Sequence, residues 1–233
     1  MRFFWTRLLH RRDFRIIGTL LLVWMLVIVC APYLSPGDPY AQDLTMRLAP
    51  NTAAHPLGTD QLGRDELTRL LYGGRISIAL SLVIVAITAV GGILIGAFAA
   101  FLHGFADRIV TAALDLFLSM PALVVAIALI GLLGPDTGNL IFSLCLTHWA
   151  EYARVARALV QTEREKNYVR YARFAGAGFL GTVFSYVLPN VVPRLLVLVF
   201  QNIGEILLTV AGLSLIGIGV PMPYPEWGTM LMG

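Results

Sequence analysis

Long apolar runs recur along this chain, and they constrain its fold more than any other feature of the sequence. A bilayer core about 30 Å thick is crossed by a helix of about 20 apolar residues. Such runs lie at about residues 16–34, 76–101, 109–133, 140–154 and 191–216. Charged residues make up only 13% of the chain, about half of their share in a typical soluble domain. The sequence therefore predicts an all-α, polytopic bundle of transmembrane helices with five spans.

The basic residues indicate how these spans are oriented, because Lys and Arg are enriched in the cytoplasmic segments of membrane proteins. With the N-terminus inside, the inside segments are 1–15, the loop near 102–108 and 154–194. They hold 13 of the 17 Lys and Arg residues. The other four lie in the outside segment between the first two spans. This distribution predicts a cytoplasmic N-terminus.

The N-terminal segment is strongly basic before its apolar run. Its arginines are Arg2, Arg7, Arg11, Arg12 and Arg15. A basic start of this kind is also typical of a secretory signal peptide. The apolar run is longer than that of a usual signal peptide, however, and no small-residue cleavage site follows it before Pro32. These features favour an uncleaved membrane anchor.

Glycine and proline add detail to the second and third spans. Gly92 and Gly96 are four residues apart, a spacing that lets another helix approach closely. Pro121 interrupts the third span, and proline bends a helix because it lacks the backbone donor. The sequence therefore predicts close packing at the two glycines and a kink at Met120-Pro121.

The cytoplasmic stretch between the fourth and fifth spans is the most informative part of the chain. Residues 163–168 alternate in charge, a pattern typical of a helix at the membrane surface. Gly176 and Gly178 are expected to break this helix, and residues 188–190 to mark the return of the chain to the membrane. Taken alone, the charge pattern favours a solvated connector.

The same stretch resembles the cytoplasmic loop of ATP-binding cassette (ABC) import permeases, which has the pattern E-A-A-x3-G-x9-I-x-L-P. The residues that match it are Ala172, Gly176, Leu188 and Pro189. Arg170 takes the place of the Glu, Tyr171 that of the first Ala, and Tyr186 that of the Ile. In this family the loop forms a coupling helix that docks into the ATPase. The resemblance implies an ATPase coupling loop at these positions, with a contact altered at Arg170, where the charge is reversed.

Segments elsewhere in the chain resemble the peptide/nickel class of these permeases. They are H-P-L-G-T-D at 55–60 with G-R-D at 63–65, the stretch 115–157 around Trp149 and Tyr152, and the stretch 213–228. The resemblance covers nearly the whole chain from about residue 16. It implies a permease of the type I ABC importer kind, similar to the C-type subunits of dipeptide, oligopeptide and nickel importers.

The resemblance also implies partners and a cargo. In this class two cytoplasmic ABC ATPase subunits supply the energy, and a second, different permease subunit completes the pathway. An extracytoplasmic solute-binding protein delivers di- or oligopeptides or chelated nickel to the bacterial cytoplasmic membrane. The chain has no G-x-x-x-x-G-K-[ST] motif, so it is not expected to bind ATP. No enzymatic activity, cofactor or nucleic-acid partner is expected either.

The resemblance further suggests how the chain is divided. Residues 1–75 would form the N-terminal tail, the first span and an extracytoplasmic segment, and residues 76–233 the permease core. Five spans leave the C-terminus outside, and residues 227–233 have neither a basic stop nor an apolar run. These residues are typical of the approach to a sixth span, which the chain is expected to lack.

Polar residues within the spans are candidates for the translocation path, since exposing them to lipid is costly. The candidates are Ser119, His148, Glu151, Gln201, Asn202 and Glu205. Glu205 lies deepest in its span, where a structural partner on another helix would explain it equally well. Asp115, near the cytoplasmic end of the third span, is expected to make a packing or gating contact.

Other classes of function are less well supported. Cys145 and His148 share a helix face, but two ligands do not make a metal site, and neither a metal site nor a disulfide is predicted. The main alternative is a secondary transporter or an ion channel subunit. That class would show internal repeats with broken helices or a repeated filter segment, and the sequence has neither. A membrane enzyme would need clustered His, Asp or Glu, whereas the four histidines are scattered.

Overall fold

The computed structural model describes residues 12–35, 37–102 and 104–232, and this part of the chain is all-α. The predicted basic positions Arg2, Arg7 and Arg11 lie outside the described residues. The helices are α1 Arg12–Val29, α2 Ala31–Leu34, α3 Glu66–Ala99, α4 Gly104–Ser119, α5 Ala122–Leu133, α6 Thr137–Arg164, α7 Asn167–Phe174, α8 Phe179–Gly181, α9 Leu188–Leu215 and α10 Trp227–Met230. A 3₁₀ turn covers Leu44–Met46, and a π-helical segment, Thr182–Val187, joins α8 to α9.

Two helices in the described part of the chain are long and apolar enough to cross a membrane: Glu66–Ala99 and Phe179–Leu215. The second is a continuous run of α8, the π-helical segment and α9. The bent pair of α4 and α5 makes a third if it is counted as one span. The helical membrane fold is thus confirmed, but two or three helices meet this criterion rather than the predicted five.

The two other predicted spans are helical but fall short for different reasons. In the first run the apolar part of α1, Arg15–Val29, is between 10 and 17 residues long, which is short for a bilayer about 30 Å thick. The fourth run forms α6, which is 28 residues long. Its second half carries many charged side chains, so its composition and not its length sets it apart from a typical span.

The described residues form two compact units. One comprises the chain up to Ser77 together with the stretch from Met222 onward, and the other comprises Ile78–Pro221. The division of the sequence at residues 75 and 76 stays a prediction. The second unit contains the cytoplasmic stretch and every candidate for the translocation path.

Contacts within the first unit explain why the motif at 55–65 has acidic, basic and glycine residues at its fixed positions. Asp60 is buried and accepts hydrogen bonds from Arg64 Nε at 2.6 Å and from the backbone N–H of Leu62 at 2.8 Å. Burial raises the pKa of Asp60, but these donors lower it overall. Gly63 has φ +73°, and a Cβ there would lie 1.8 Å from the carbonyl oxygen of Asp43. The motif therefore folds a tight, internally bonded segment.

The second unit has its closest helix contact where α3 meets α6. A Cβ on Gly92 would lie 2.4 Å from the carbonyl oxygen of Trp149, and one on Gly96 would lie 2.2 Å from that of Ala153. Real Cβ atoms do not approach backbone atoms this closely. Glycine at both positions therefore permits the contact, which confirms the predicted close packing.

The break in the third span is sharper than a kink. The axis turns by 83° between α4, which ends at Ser119, and α5, which begins at Ala122. Pro121 occupies the position before α5, where its missing N–H interrupts no helical hydrogen bond. The predicted interruption at Met120-Pro121 is confirmed, and it separates two helices.

Candidate functional site

The stretch between the fourth and fifth apolar runs, which the sequence predicts to be cytoplasmic, forms a short amphipathic helix, α7, directly after the long helix α6. Val169 is fully buried and anchors α7 to the second unit. Arg170, Tyr171, Arg173 and Phe174 are exposed, with Phe174 exposed to 87%. This helix is therefore anchored in the unit and leaves exposed side chains available to a partner.

The turn after α7 depends on Gly176. The N–H of Ala177 bonds to the carbonyl of Ala172 at 3.0 Å, and the N–H of Gly176 bonds to that of Arg173 at 3.1 Å. These two bonds form a Schellman motif, which ends a helix with a residue in the left-handed conformation. Gly176 supplies that residue with φ +93°. The predicted break of the helix at Gly176 is confirmed.

The carboxylate of Glu163, at the end of α6, is the centre of a polar network. It is only 2% exposed. Its Oε1 accepts hydrogen bonds from the Tyr168 hydroxyl at 2.7 Å and from Lys166 Nζ at 2.9 Å. Asn190 Nδ2, on α9, donates to the Tyr168 hydroxyl oxygen at 3.1 Å and to the carbonyl of Tyr186 at 2.7 Å. The network therefore joins the end of α6, the start of α7 and the start of α9.

The charge states of this network follow from its contacts. Burial alone raises the pKa of Glu163, but the hydrogen bonds from Tyr168 and Lys166 and the charges of Lys166 and Arg194 lower it overall. Burial and the hydrogen bond to Glu163 raise the pKa of Tyr168 to about 12. At neutral pH an ionised carboxylate therefore accepts from a neutral phenol, and charge-assisted bonds of this kind are among the stronger ones in proteins.

The remaining coupling-loop residues are placed differently from the prediction. Leu188 and Pro189 were expected at a break where the chain returns to the membrane. Instead they form the first turn of α9, within the continuous helical run Phe179–Leu215. Both residues come directly after the π-helical segment Thr182–Val187, where the hydrogen bonds have already left the regular α-helical pattern. The six predicted residues thus lie on α7, in the turn after it and at the start of α9.

Among the candidates for the translocation path, the structure brings Glu151 and Asn202 together. Asn202 Nδ2 donates to Glu151 Oε2 at 3.1 Å. Asn202 is 3% exposed, so an amide unable to make this bond would be costly at that depth. The pair connects α6 to α9 and belongs to the interior of the unit.

Glu205 lies one turn further along α9 and is exposed. It lines a groove of about 450 Å³ whose other walls are mostly apolar: Leu123, Ile127, Leu208, Thr209, Gly212, Leu213 and Ile216. The Thr209 hydroxyl donates to the backbone carbonyl of Glu205 at 2.9 Å and so does not occupy the carboxylate. This is the one candidate that combines charge with an open cavity.

The three other path candidates are dispersed. Ser119 is exposed at the α4 break, and its hydroxyl donates to the carbonyl of Leu116 at 2.8 Å. His148 Nδ1 donates to the carbonyl of Leu144 at 2.9 Å. Gln201 is exposed on α9. No group of three metal-ligating residues occurs within 12–35, 37–102 and 104–232.

Sequence reasoning missed several contacts that organise the site. Arg154 pairs with Asp115 and Arg157 with Asp107, so two ion pairs link α4 to α6. The first pair gives Asp115 the packing contact expected of it. The network around Glu163 was also missed. The local sequence shows only that Glu163 lies five residues before Tyr168, with the end of a helix between them.

These features define a polytopic helical membrane component with a short amphipathic helix, α7, between two long helices. The family model of the binding-protein-dependent transport system inner membrane component matches residues 92–233. The chain belongs to this family.

Curated relatives cover nearly the whole chain. It is 37% identical over 237 residues to the di/tripeptide transport system permease protein DppC of Pseudomonas aeruginosa (strain UCBPP-PA14), covering 98% of this chain and 77% of that protein. It is 36% identical over 206 residues to the nickel transport system permease protein NikC of Escherichia coli (strain K12), covering 88% and 74%. The probable D,D-dipeptide transport system permease protein DdpC of the same strain is 37% identical over 214 residues, covering 92% and 72%.

Family membership decides between the classes of function considered above. The chain is the inner-membrane permease component of a binding-protein-dependent transport system. The resemblance noted in the sequence is thereby confirmed, and the chain is a transport subunit rather than an enzyme. The alternative of a secondary transporter or an ion channel is not supported.

Proposed function

We propose that this chain forms one half of the membrane pathway of an ATP-driven importer for di- or oligopeptides or for chelated nickel. The relatives named above as di/tripeptide, D,D-dipeptide and nickel permeases support this range of cargo. The other half would be a second, homologous permease subunit. Two cytoplasmic ABC ATPases would drive the cycle, and an extracytoplasmic solute-binding protein would deliver the cargo.

The orientation that this function requires has the N-terminus and α7 in the cytoplasm. The distribution of basic residues supports it, with 13 of 17 in the segments assigned inside. The internally bonded motif at 55–65 would then lie outside the membrane, where the binding protein approaches. An ATPase would approach from the cytoplasm and meet the exposed side chains of α7.

The observation that carries the proposal is the network centred on Glu163. A transport subunit that does not hydrolyse ATP can change state only if a partner binds its two states with different affinity. Movement of a partner bound to α7 would reach α9 through Tyr168 and Asn190, which bond to each other at 3.1 Å. Because α9 also carries Asn202 and Glu205, the docking helix and the path would be coupled through one element.

Along the path, Glu205 would act on positively charged groups of the cargo. A carboxylate within a mostly apolar groove is costly unless it is paired, so a cationic group entering the groove would be favoured. A peptide ammonium group and a nickel cation both meet this requirement. Glu151 and Asn202, which satisfy each other, would hold the two helices behind the groove.

Reconstitution with the partners encoded beside this chain would test the function. The assembled importer, in proteoliposomes with its binding protein, should take up labelled dipeptide or nickel only with ATP inside. Glu205→Gln keeps the side-chain shape and removes the charge, so it should lower uptake while basal ATP hydrolysis persists. Leu208→Ala, in the same groove, controls for altered shape. Uptake that proceeds without ATP would rule out the proposed mechanism.

A further inference from the structure

An open cavity of about 320 Å³ lies beside α7 in the second unit, and the function proposed above assigns it no ligand. It is formed where the end of α3 meets the end of α6, α7 and the start of α8. Its lining residues are Phe101, Arg164, Glu165, Arg170, Arg173 and Phe179. The cavity is therefore basic, with three arginines against one glutamate.

The ends of two long helices mark the place of this cavity. One of them ends at Ala99 and the other begins at Phe179. The rings of Phe101 and Phe179 contact edge to face, with centroids 5.1 Å apart. The cavity thus lies beside the neighbouring ends of two helices that are long and apolar enough to cross a membrane, and two aromatic rings form part of its wall.

The three arginines differ in how they are held. Arg164 is fixed: it donates to the carbonyl of Ala100, and its guanidinium lies 5.8 Å from the centroid of the Phe101 ring. Arg170 and Arg173 are exposed, and neither forms an ion pair with another residue that the structure describes. Because they are three residues apart on α7, their side chains share one face of the helix. Two guanidinium groups are therefore available to one ligand.

We propose that this cavity binds the phosphoryl group of an anionic phospholipid of the inner leaflet, or a free phosphate of the same chemistry. Guanidinium groups match phosphate oxygens in planar, bidentate geometry. Basic pockets between membrane helices on the cytoplasmic side suit anionic headgroups. The phenylalanine rings would pack against the glycerol and first acyl carbons of a lipid, contacts that a free phosphate would not make.

Titration of the assembled importer with lipid would test the site. The complex, purified in a neutral detergent, is titrated with short-chain phosphatidylglycerol and, separately, with phosphatidylcholine, and the bound lipid is counted by native mass spectrometry. Each arginine near the membrane surface strengthens anionic-lipid binding about fivefold. Arg173→Gln should therefore weaken phosphatidylglycerol binding about fivefold, and Arg170→Gln combined with it about 25-fold.

The matched control is Arg108→Gln, which removes one exposed positive charge from α4, outside the cavity. It should leave the lipid titration unchanged. Inorganic phosphate added to the same titration separates the two sources of phosphoryl group. Displacement of the lipid identifies a site that free phosphate also fills, whereas no displacement identifies a site that needs the whole lipid. Both outcomes support the phosphoryl site.

Three results would overturn it. Equal binding of the two lipids would show that the headgroup charge is not recognised. A double variant that behaves like Arg108→Gln would show that the cavity arginines are not involved. If the double variant loses its ATPase subunits while its lipid titration is unchanged, these arginines serve the ATPase contact instead.

Discussion

Replacement of Gly176 by valine isolates the coupling function of α7 from the cargo path. Gly176 has φ +93°, and no atom lies within 4 Å of where its Cβ would be. The variant therefore meets no steric clash, and its whole cost is backbone strain. A left-handed conformation costs a residue with a Cβ about 1–2 kcal/mol, and a β-branched residue is a clear outlier there. That energy lowers the population of the Schellman turn, relative to other conformations of the loop, about 5- to 30-fold.

The assay is ATP hydrolysis by the reconstituted importer, with and without cargo-loaded binding protein. Gly176→Val should assemble and hydrolyse ATP at its basal rate, and the rise on addition of cargo should be largely lost. Gly178→Val is the matched control, because Gly178 has φ −65° and equally open surroundings. If Gly176→Val keeps full cargo stimulation, or if both variants lose it equally, the turn does not transmit coupling.

Three further predictions concern packing, orientation and the polar network. Gly96→Ala should destabilise the complex by about 1–3 kcal/mol or more through overpacking. A Cβ on Gly91 would meet no atom within 4 Å, so Gly91→Ala should gain up to about 1 kcal/mol in helix propensity. Thermal unfolding in detergent compares the two variants. A cysteine at Asn51 should react with an impermeant thiol reagent from outside intact cells and one at Lys166 should not, and the reverse pattern would contradict the topology. Tyr168→Phe should lower cargo-stimulated hydrolysis and the unfolding temperature, each to the same extent at pH 7 and pH 9. The pKa of Tyr168 is raised to about 12. Its contribution is therefore complete below the ordinary tyrosine pKa near 10 and is lost only as the pH rises through 12.

Much of the membrane architecture could be predicted because it depends on local patterns. Apolar runs predicted the helices, and the absence of a backbone donor at Pro121 predicted where the third span is interrupted. The small residues Gly92 and Gly96 predicted a close helix contact, although not its partner. Gly176 predicted a turn, since a left-handed helix end favours glycine.

Features that depend on the surroundings of a residue were not predictable in this way. Leu188 and Pro189 have the composition of a break, yet the helical run continues from Phe179 through them, directly after a π-helical segment in which the hydrogen bonds already depart from the α-helical pattern. The depth of Glu163 could not be known from an alternating charge pattern, which is equally typical of a solvated face. Asn190, which joins the network through the Tyr168 hydroxyl, lies 27 positions after Glu163 in the sequence, beyond the range of any helical periodicity.

The separation of α4 from α5 has a consequence for hydration. With 16 and 12 residues, the two helices are about 24 and 18 Å long, and neither alone crosses a core of about 30 Å. If the pair forms one span, backbone groups at the facing ends lie within the thickness of the bilayer, and the Ser119 hydroxyl satisfies only the carbonyl of Leu116. Lipid cannot satisfy the rest, so this point must border protein or water. A dehydrating cargo that passes it would find carbonyl oxygens and N–H groups already in place to substitute for part of its lost water shell.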